Sequence, residues 1–275
     1  MNFFQKLFRG TDETKSETKE QNEAKDFEVL KYDGVRALKT GQYDYAERCF
    51  KHALDLKDDL EIHDHLSVCH LSSGEFGDAY EELRLLADAQ PDNVQILIRM
   101  ANVAFMMEDY NIMASNCEKA LLIDKDNAEV NYLYAQASKG QGDDVNTVAL
   151  STKAIALDER FGDAYLLRGE TLLRMEKPDE ADEDALWLLQ HTDNQEEVLL
   201  LKARIEQARN NKAAALEYYH KALESNPFSE TAYKERAELY AELGEDDKAA
   251  ADNEKAEALR RRNEGEVNEL GENKD

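Results

Sequence analysis

The sequence predicts an all-α protein built as an array of about seven helix-turn-helix units, and three observations carry that prediction. Small residues return at a fixed interval of 34 positions. Glycines recur at one place between them, and all three prolines lie where a helix tolerates one.

Take Phe27 as the first position of a unit. Further units then start at Leu60, Val94, Ala128, Gly162, Glu196 and Glu230, the first step being 33 residues and every later one 34. The eighth position reads Gly34, Ser67, Ala101, Ala135, Gly169, Ala203 and Ala237. The twentieth reads Ala46, Ala79, Met113, Thr147, Ala181, Ala215 and Ala249, and the twenty-seventh Ala53, Leu86, Ala120, Ala154, Leu188, Ala222 and Ala256. Small side chains at eight and twenty let two antiparallel helices approach closely at their crossing, where a leucine would hold them apart. Position fifteen is Gly41, Gly74, Gly142 or Gly244 in four units, which suits a helix that ends in a left-handed conformation before the next begins. Proline inside a helix costs about 3 kcal/mol. Pro91 and Pro227 fall in links between units, and Pro178 falls at the first turn of the second helix of the fifth unit, where its missing N–H does no harm.

A period of 34 with a large residue at four, a small one at eight, alanine at twenty and proline at thirty-two resembles the tetratricopeptide repeat family. The resemblance spans Phe27 to about Asn263 and implies a right-handed superhelical solenoid. Two departures stand out. Asp33, Arg168, Lys202 and Arg236 occupy position seven, which the family usually keeps apolar, and only Tyr43, Phe76 and Tyr110 keep an aromatic at seventeen. The expected organisation is an amphipathic decamer and polar linker over 1–26, seven units over 27–263 (27–59, 60–93, 94–127, 128–161, 162–195, 196–229 and 230–263), and a frayed polar tail over 264–275. In the seventh unit Asn253 replaces the bulky residue of position twenty-four, as suits a last helix that faces solvent.

Composition limits the function. Thirty-four basic against 60 acidic residues give a net charge of −26, so the chain should repel phosphates and avoid nucleic acid. The acidity either recruits basic partners or keeps a long array from associating with itself. At the start, Phe3, Phe4, Leu7 and Phe8 share one helical face. That decamer is a weak membrane-surface anchor, a peptide that docks in a groove, or a start that packs on the first unit. It lacks the apolar run and cleavage site of a secretory signal, so the chain is expected to stay in the cytoplasm. Residues 11–26 hold no apolar residue larger than Ala24 and read as a disordered linker or a lone solvated helix.

The family resemblance implies that positions two, five, six, nine and twelve of each first helix line a concave face. Here the candidate partner-binding residues are Ile98, Arg99, Asn102, Phe105, Tyr132, Gln136, Leu166, Leu200 and Arg204. Such a groove, apolar in its middle and charged at its ends, would take an amphipathic helix or an extended peptide. The competing reading buries many of these side chains between helices. Some relatives clamp an acidic carboxyl terminus on five positions that here read Lys31, Val35, His65, Gln95 and Arg99. Only Lys31 and Arg99 fit, so that use is not expected.

His65 and Cys69 stand four apart on one helix, a spacing that can chelate a metal, but His63 and His70 take packing positions and should point elsewhere. Cys49, Cys69 and Cys117 form no CxxC and read as buried thiols in a reducing compartment. With no phosphate loop, nucleophile elbow or HExxH motif, no catalytic residue, metal or cofactor is expected. The predicted function is a non-enzymatic scaffold or adaptor for a protein or peptide ligand, basic or amphipathic in character. The alternative is an assembly factor tethered to a membrane by residues 1–10.

Overall fold

The computed structural model describes residues 3–192 and 195–272, with side chains over 20–192 and 195–262. Among the described residues there are fourteen α-helices and no strand. They fall into two compact units, Met1–Lys125 and Asp126–Asp275.

The first unit holds three pairs: α1 (Phe3–Lys39) with α2 (Tyr43–Leu56), α3 (Leu60–Ser73) with α4 (Phe76–Ala89), and α5 (Val94–Met106) with α6 (Tyr110–Ile123). Each second helix also packs on the first helix of the next pair, α2 on α3 and α4 on α5. The second unit holds four: α7 (Ala128–Gly140) with α8 (Asp144–Leu157), α9 (Gly162–Arg174) with α10 (Pro178–His191), α11 (Glu196–Ala208) with α12 (Lys212–Ser225), and α13 (Glu230–Glu242) with α14 (Asp246–Glu272). There too α8 packs on α9, α10 on α11 and α12 on α13, while the first helices α7, α9 and α11 lie side by side.

The recurring small residues make these contacts possible. Every residue at positions eight, twenty and twenty-seven is buried, including Ser67 and Thr147. A Cβ added to Gly34 would stand 2.6 Å from Cε1 of Phe50, itself wholly buried. At Gly169 the added carbon would meet Leu201 at 3.0 Å. Position twenty-four supplies the bulk that fills the crossing in most pairs: Phe50, Leu83, Cys117 and Tyr219 are all buried, whereas Asn253 on the last helix is exposed.

The turns are equally regular. All seven residues at position fifteen have positive φ: Gly41, Gly74, Gly142 and Gly244 at 72–78°, and also Glu108 (56°), Glu176 (61°) and Asn210 (62°). The glycine signal therefore marks a backbone requirement that three other residues also meet. Side-chain caps start several helices, Asp59 accepting from the Glu61 N–H at 3.0 Å, Asn93 from Gln95 at 3.1 Å and Ser229 from Ala232 at 3.0 Å. Pro178 opens α10 at the first turn.

Two stretches differ from a frayed chain. Helix α1 runs unbroken from Phe3, so the polar stretch over 11–26 is helical, with Phe27 the first buried side chain described. The side chains of the decamer lie outside the described residues. Helix α14 continues to Glu272, so the polar tail is helical as far as it is described. Among the described residues no helix is long and apolar enough to cross a membrane.

Candidate functional site

In the first unit the candidate residues lie on α5. Ile98 is only 4% exposed and belongs to the core. Arg99 reaches back to α3, donating from Nη1 to Asp64 at 2.5 Å and from Nη2 to the Ser67 hydroxyl at 2.7 Å. Asn102 is half-buried. Phe105 is 44% exposed and meets Tyr110 edge-on, with ring centroids 6.4 Å apart. Lys31 on α1 is likewise committed, to Asp59 at 3.3 Å and Glu61 at 2.6 Å. Leu60, Glu61, Asp64, Leu86, Gln90, Asn93, Gln95, Ile96 and Arg99 line a cleft of about 330 Å³ between α3, α4 and α5.

In the second unit, half-buried Tyr132 tilts against Phe161 at 4.8 Å and accepts a hydrogen bond from Nε2 of Gln136 at 3.0 Å. Burial pushes the Tyr132 phenol up to about 12, with Asp163 and Glu170 adding to the effect. Leu166 is half-buried against the cluster around Leu172 and Ala181. Leu200 is 5% exposed and sits in the core with Leu199, Ala203 and Tyr219. Arg204 forks onto Glu235 of α13, Nη2 to Oε1 at 2.7 Å and Nε to Oε2 at 2.9 Å, and the Tyr219 hydroxyl donates to the same carboxylate at 3.1 Å.

Two of the nine candidates are thus corrected: Ile98 and Leu200 have almost no surface left to give a ligand. The reason is local. Val198, Leu199, Leu200 and Leu201 are consecutive and all buried, as are Ile96, Leu97 and Ile98. A helix apolar all round is packed all round, and position alone cannot pick its open face.

The three cations at position seven also find their explanation. Arg168 makes a two-pronged bond with Asp184 of α10 at 2.9 and 2.6 Å, and Arg236 the same with Asp252 of α14 at 2.7 and 2.8 Å. Lys202, 5% exposed, bonds Asp182 and also Glu206 at 2.8 Å, while Arg209 closes the group onto Asp182 at 2.7 Å. Burial alone would raise Asp182, but its bonds to Lys202 and Arg209 outweigh that and hold the carboxyl below its ordinary value. The partner acids at 182, 184 and 252 stood in the sequence as surface charges of second helices, and only the crossing geometry pairs them.

The histidines go where packing sends them. His63 bonds Glu82 at 2.5 Å and Asp58 at 2.9 Å, His70 bonds Glu75 at 2.6 Å, and His65 stacks on Phe50 with centroids 5.2 Å apart. The Cys69 thiol is pushed up to about 11 by burial, which keeps it protonated and a poor ligand. Glu47, His70 and Glu75 bring one ligand atom each within 4.8 Å of the others. Glu47 is taken by Lys51 at 2.5 Å and Glu75 by His70, so the three act as ordinary hydrogen-bond partners.

Comparison with known proteins agrees with this architecture. Residues 196–229, the span of α11 and α12, match the family model described as tetratricopeptide repeat. No curated protein matches the chain at a comparable level. Among solved structures, the pilF protein of Pseudomonas aeruginosa aligns over 80% of this chain and 99% of its own, at 17% identity and a TM-score of 0.61. A tetratricopeptide repeat protein of Parabacteroides merdae aligns over 78% of this chain and 83% of its own, at 18% identity and a TM-score of 0.56. YrrB, described as having an unusual peptide-binding site, covers 66% of this chain and 94% of its own, at 18% identity and a TM-score of 0.53. One helix pair thus matches a tetratricopeptide repeat, and the chain shares its fold with these solved structures.

Proposed function

We propose that the chain is a non-enzymatic scaffold or adaptor that holds a peptide or helix of a partner protein against the first helices of its pairs. One observation carries the reading: those helices leave a mixture of aromatic, aliphatic and polar side chains at the surface. In the first unit exposed Phe105 stands on the same helix as Arg99 and Asn102; in the second, half-buried Tyr132 and Leu166 accompany Gln136 and Arg204. Apolar surface of this kind gains from being covered, while side-chain amides such as those of Asn102 and Gln136 fix a peptide backbone in register. A peptide-binding site in YrrB, on a related fold, supports the reading in kind.

The test is to pan a random-peptide display library on the full chain and measure the enriched peptides by fluorescence anisotropy. Phe105→Ala or Tyr132→Ala should weaken binding by roughly tenfold, about 1.4 kcal/mol, with the circular dichroism of the folded chain unchanged. Failure of the wild-type chain to enrich any peptide would overturn the reading.

A further inference from the structure

The cleft of the first unit has a chemistry opposite to that of an acid-binding clamp. Its two nearby cations are already neutralised from within, Lys31 by Asp59 and Glu61, and Arg99 by Asp64. In both pairs a carboxylate is the more exposed member. The Glu61 side chain is 62% exposed against 18% for Lys31, and Asp64 44% against 35% for Arg99. An approaching anion therefore meets carboxylate first, and an approaching cation finds oxygens turned outward. At the helix starts of this cleft Asp59 caps α3 and Asn93 caps α5, each accepting from one N–H.

The walls suit a long side chain. Leu60, Leu86 and Ile96 supply apolar lining beneath the two carboxylates, and the volume of about 330 Å³ lies at the small end for ligand pockets. Lys and Arg are the residues that lay an aliphatic stem on apolar surface and keep a charged head at a polar rim. The net charge of −26 would speed the encounter with a cationic segment.

We infer that this cleft between α3, α4 and α5 receives one Lys or Arg side chain of a bound peptide, its stem on Leu60, Leu86 and Ile96 and its cation between Glu61 and Asp64. The assignment rests on the peptide-holding function proposed above and names the residue type that the first unit selects.

The same display library tests it on three forms of the full chain: wild type, Glu61→Gln/Asp64→Asn, and Glu81→Gln/Asp88→Asn. The last removes two exposed acids of α4 that pair with Arg84 outside the cleft, and so controls for net charge. Wild type and control should enrich peptides with Lys or Arg at one fixed place. Replacing that peptide residue by Gln should weaken binding to wild type at least tenfold and to the cleft variant hardly at all. The peptide-side substitution needs no altered protein, so misfolding of a variant cannot mimic the result. Enriched peptides with no fixed basic residue, with an acidic one instead, or with equal loss on the cleft and control variants would overturn the assignment and leave the peptide-holding function standing. No enrichment on any form would remove both.

Discussion

The two units pack position seven differently. In the first, Leu66 and Met100 fill two of its three places with apolar bulk and are 1% and 3% exposed, while half-buried Asp33 takes the third and pairs with Arg36 of its own helix at 3.2 Å. In the second, Arg168, Lys202 and Arg236 fill three of its four places with cations, and each brings acids from another helix to meet it. Arg168 and Arg236 find theirs on the second helix of the same pair, sixteen residues on, so the ion pair braces the hairpin internally. Lys202 finds Asp182 on α10, the second helix of the preceding pair, and so links neighbouring pairs. The repeat thus dictates volume and close approach at this seam but leaves polarity open, provided that every buried charge arrives with its counter-charge.

The largest test of that contrast is to strip one cation from the charged seam. Lys202→Met should cost about 3–5 kcal/mol, because Asp182 and Glu206 are left buried with Arg209 as their one shared cation. Leu66→Ala, at the same position in the first unit, should cost about 2–4 kcal/mol through lost contacts and a cavity. Denaturant midpoints give both values. The sharper form is a pair exchange: Asp252→Leu alone should destabilise markedly by stranding Arg236, whereas Asp252→Leu with Arg236→Met should recover most of the loss. A double variant no better than the single one would show that the charges do more than satisfy each other.

The second test separates the units by pH. Burial would lower His63, but its bonds to Glu82 and Asp58 more than offset this and raise it above 6.5. Its contribution is therefore whole below about pH 6.5 and is lost as the pH rises through its higher folded value. Asp182 and Glu206 are held below their ordinary values of 3.8 and 4.5. Their contribution is whole above those values and disappears as the pH falls through the lower folded ones. Amide protection factors should consequently weaken around α3 and α4 as the pH rises above 6.5, and around α10 and α11 only in acid. The reverse order would mean that other groups control the two seams.

These contrasts also show what a reader of the sequence can and cannot see. The helix pairs are legible because the constraint that makes them, close approach at positions eight, twenty and twenty-seven, acts on side-chain size and returns every 34 residues. The ligand-facing residues are harder to read because exposure is set by the neighbouring pair, not by the helix that carries the residue. Phe105 near the end of α5 stays open while Ile98, two turns earlier, is covered. Arg99 and Arg204 looked available for a partner, yet Asp64 and Glu235 hold them. No periodicity within one unit foretells a bond to the next.

The smallest test asks whether the difference between the seams reaches the turns. Glu108 in the first unit and Glu176 in the second both hold φ near 60°, the conformation that glycine supplies elsewhere at the same position. A side chain there costs about 1–2 kcal/mol, and glycine gives part of that back through the greater freedom of its unfolded chain. Glu108→Gly and Glu176→Gly should each stabilise by about 0.5–1 kcal/mol, and Asn210→Gly by less, because asparagine tolerates this region better. Equal gains at Glu108 and Glu176, read from thermal midpoints, would mean that the turn is governed by backbone geometry alone. A gain confined to Glu108 would mean that the ion pairs of the second unit already fix its hairpins so firmly that relieving the turn adds nothing.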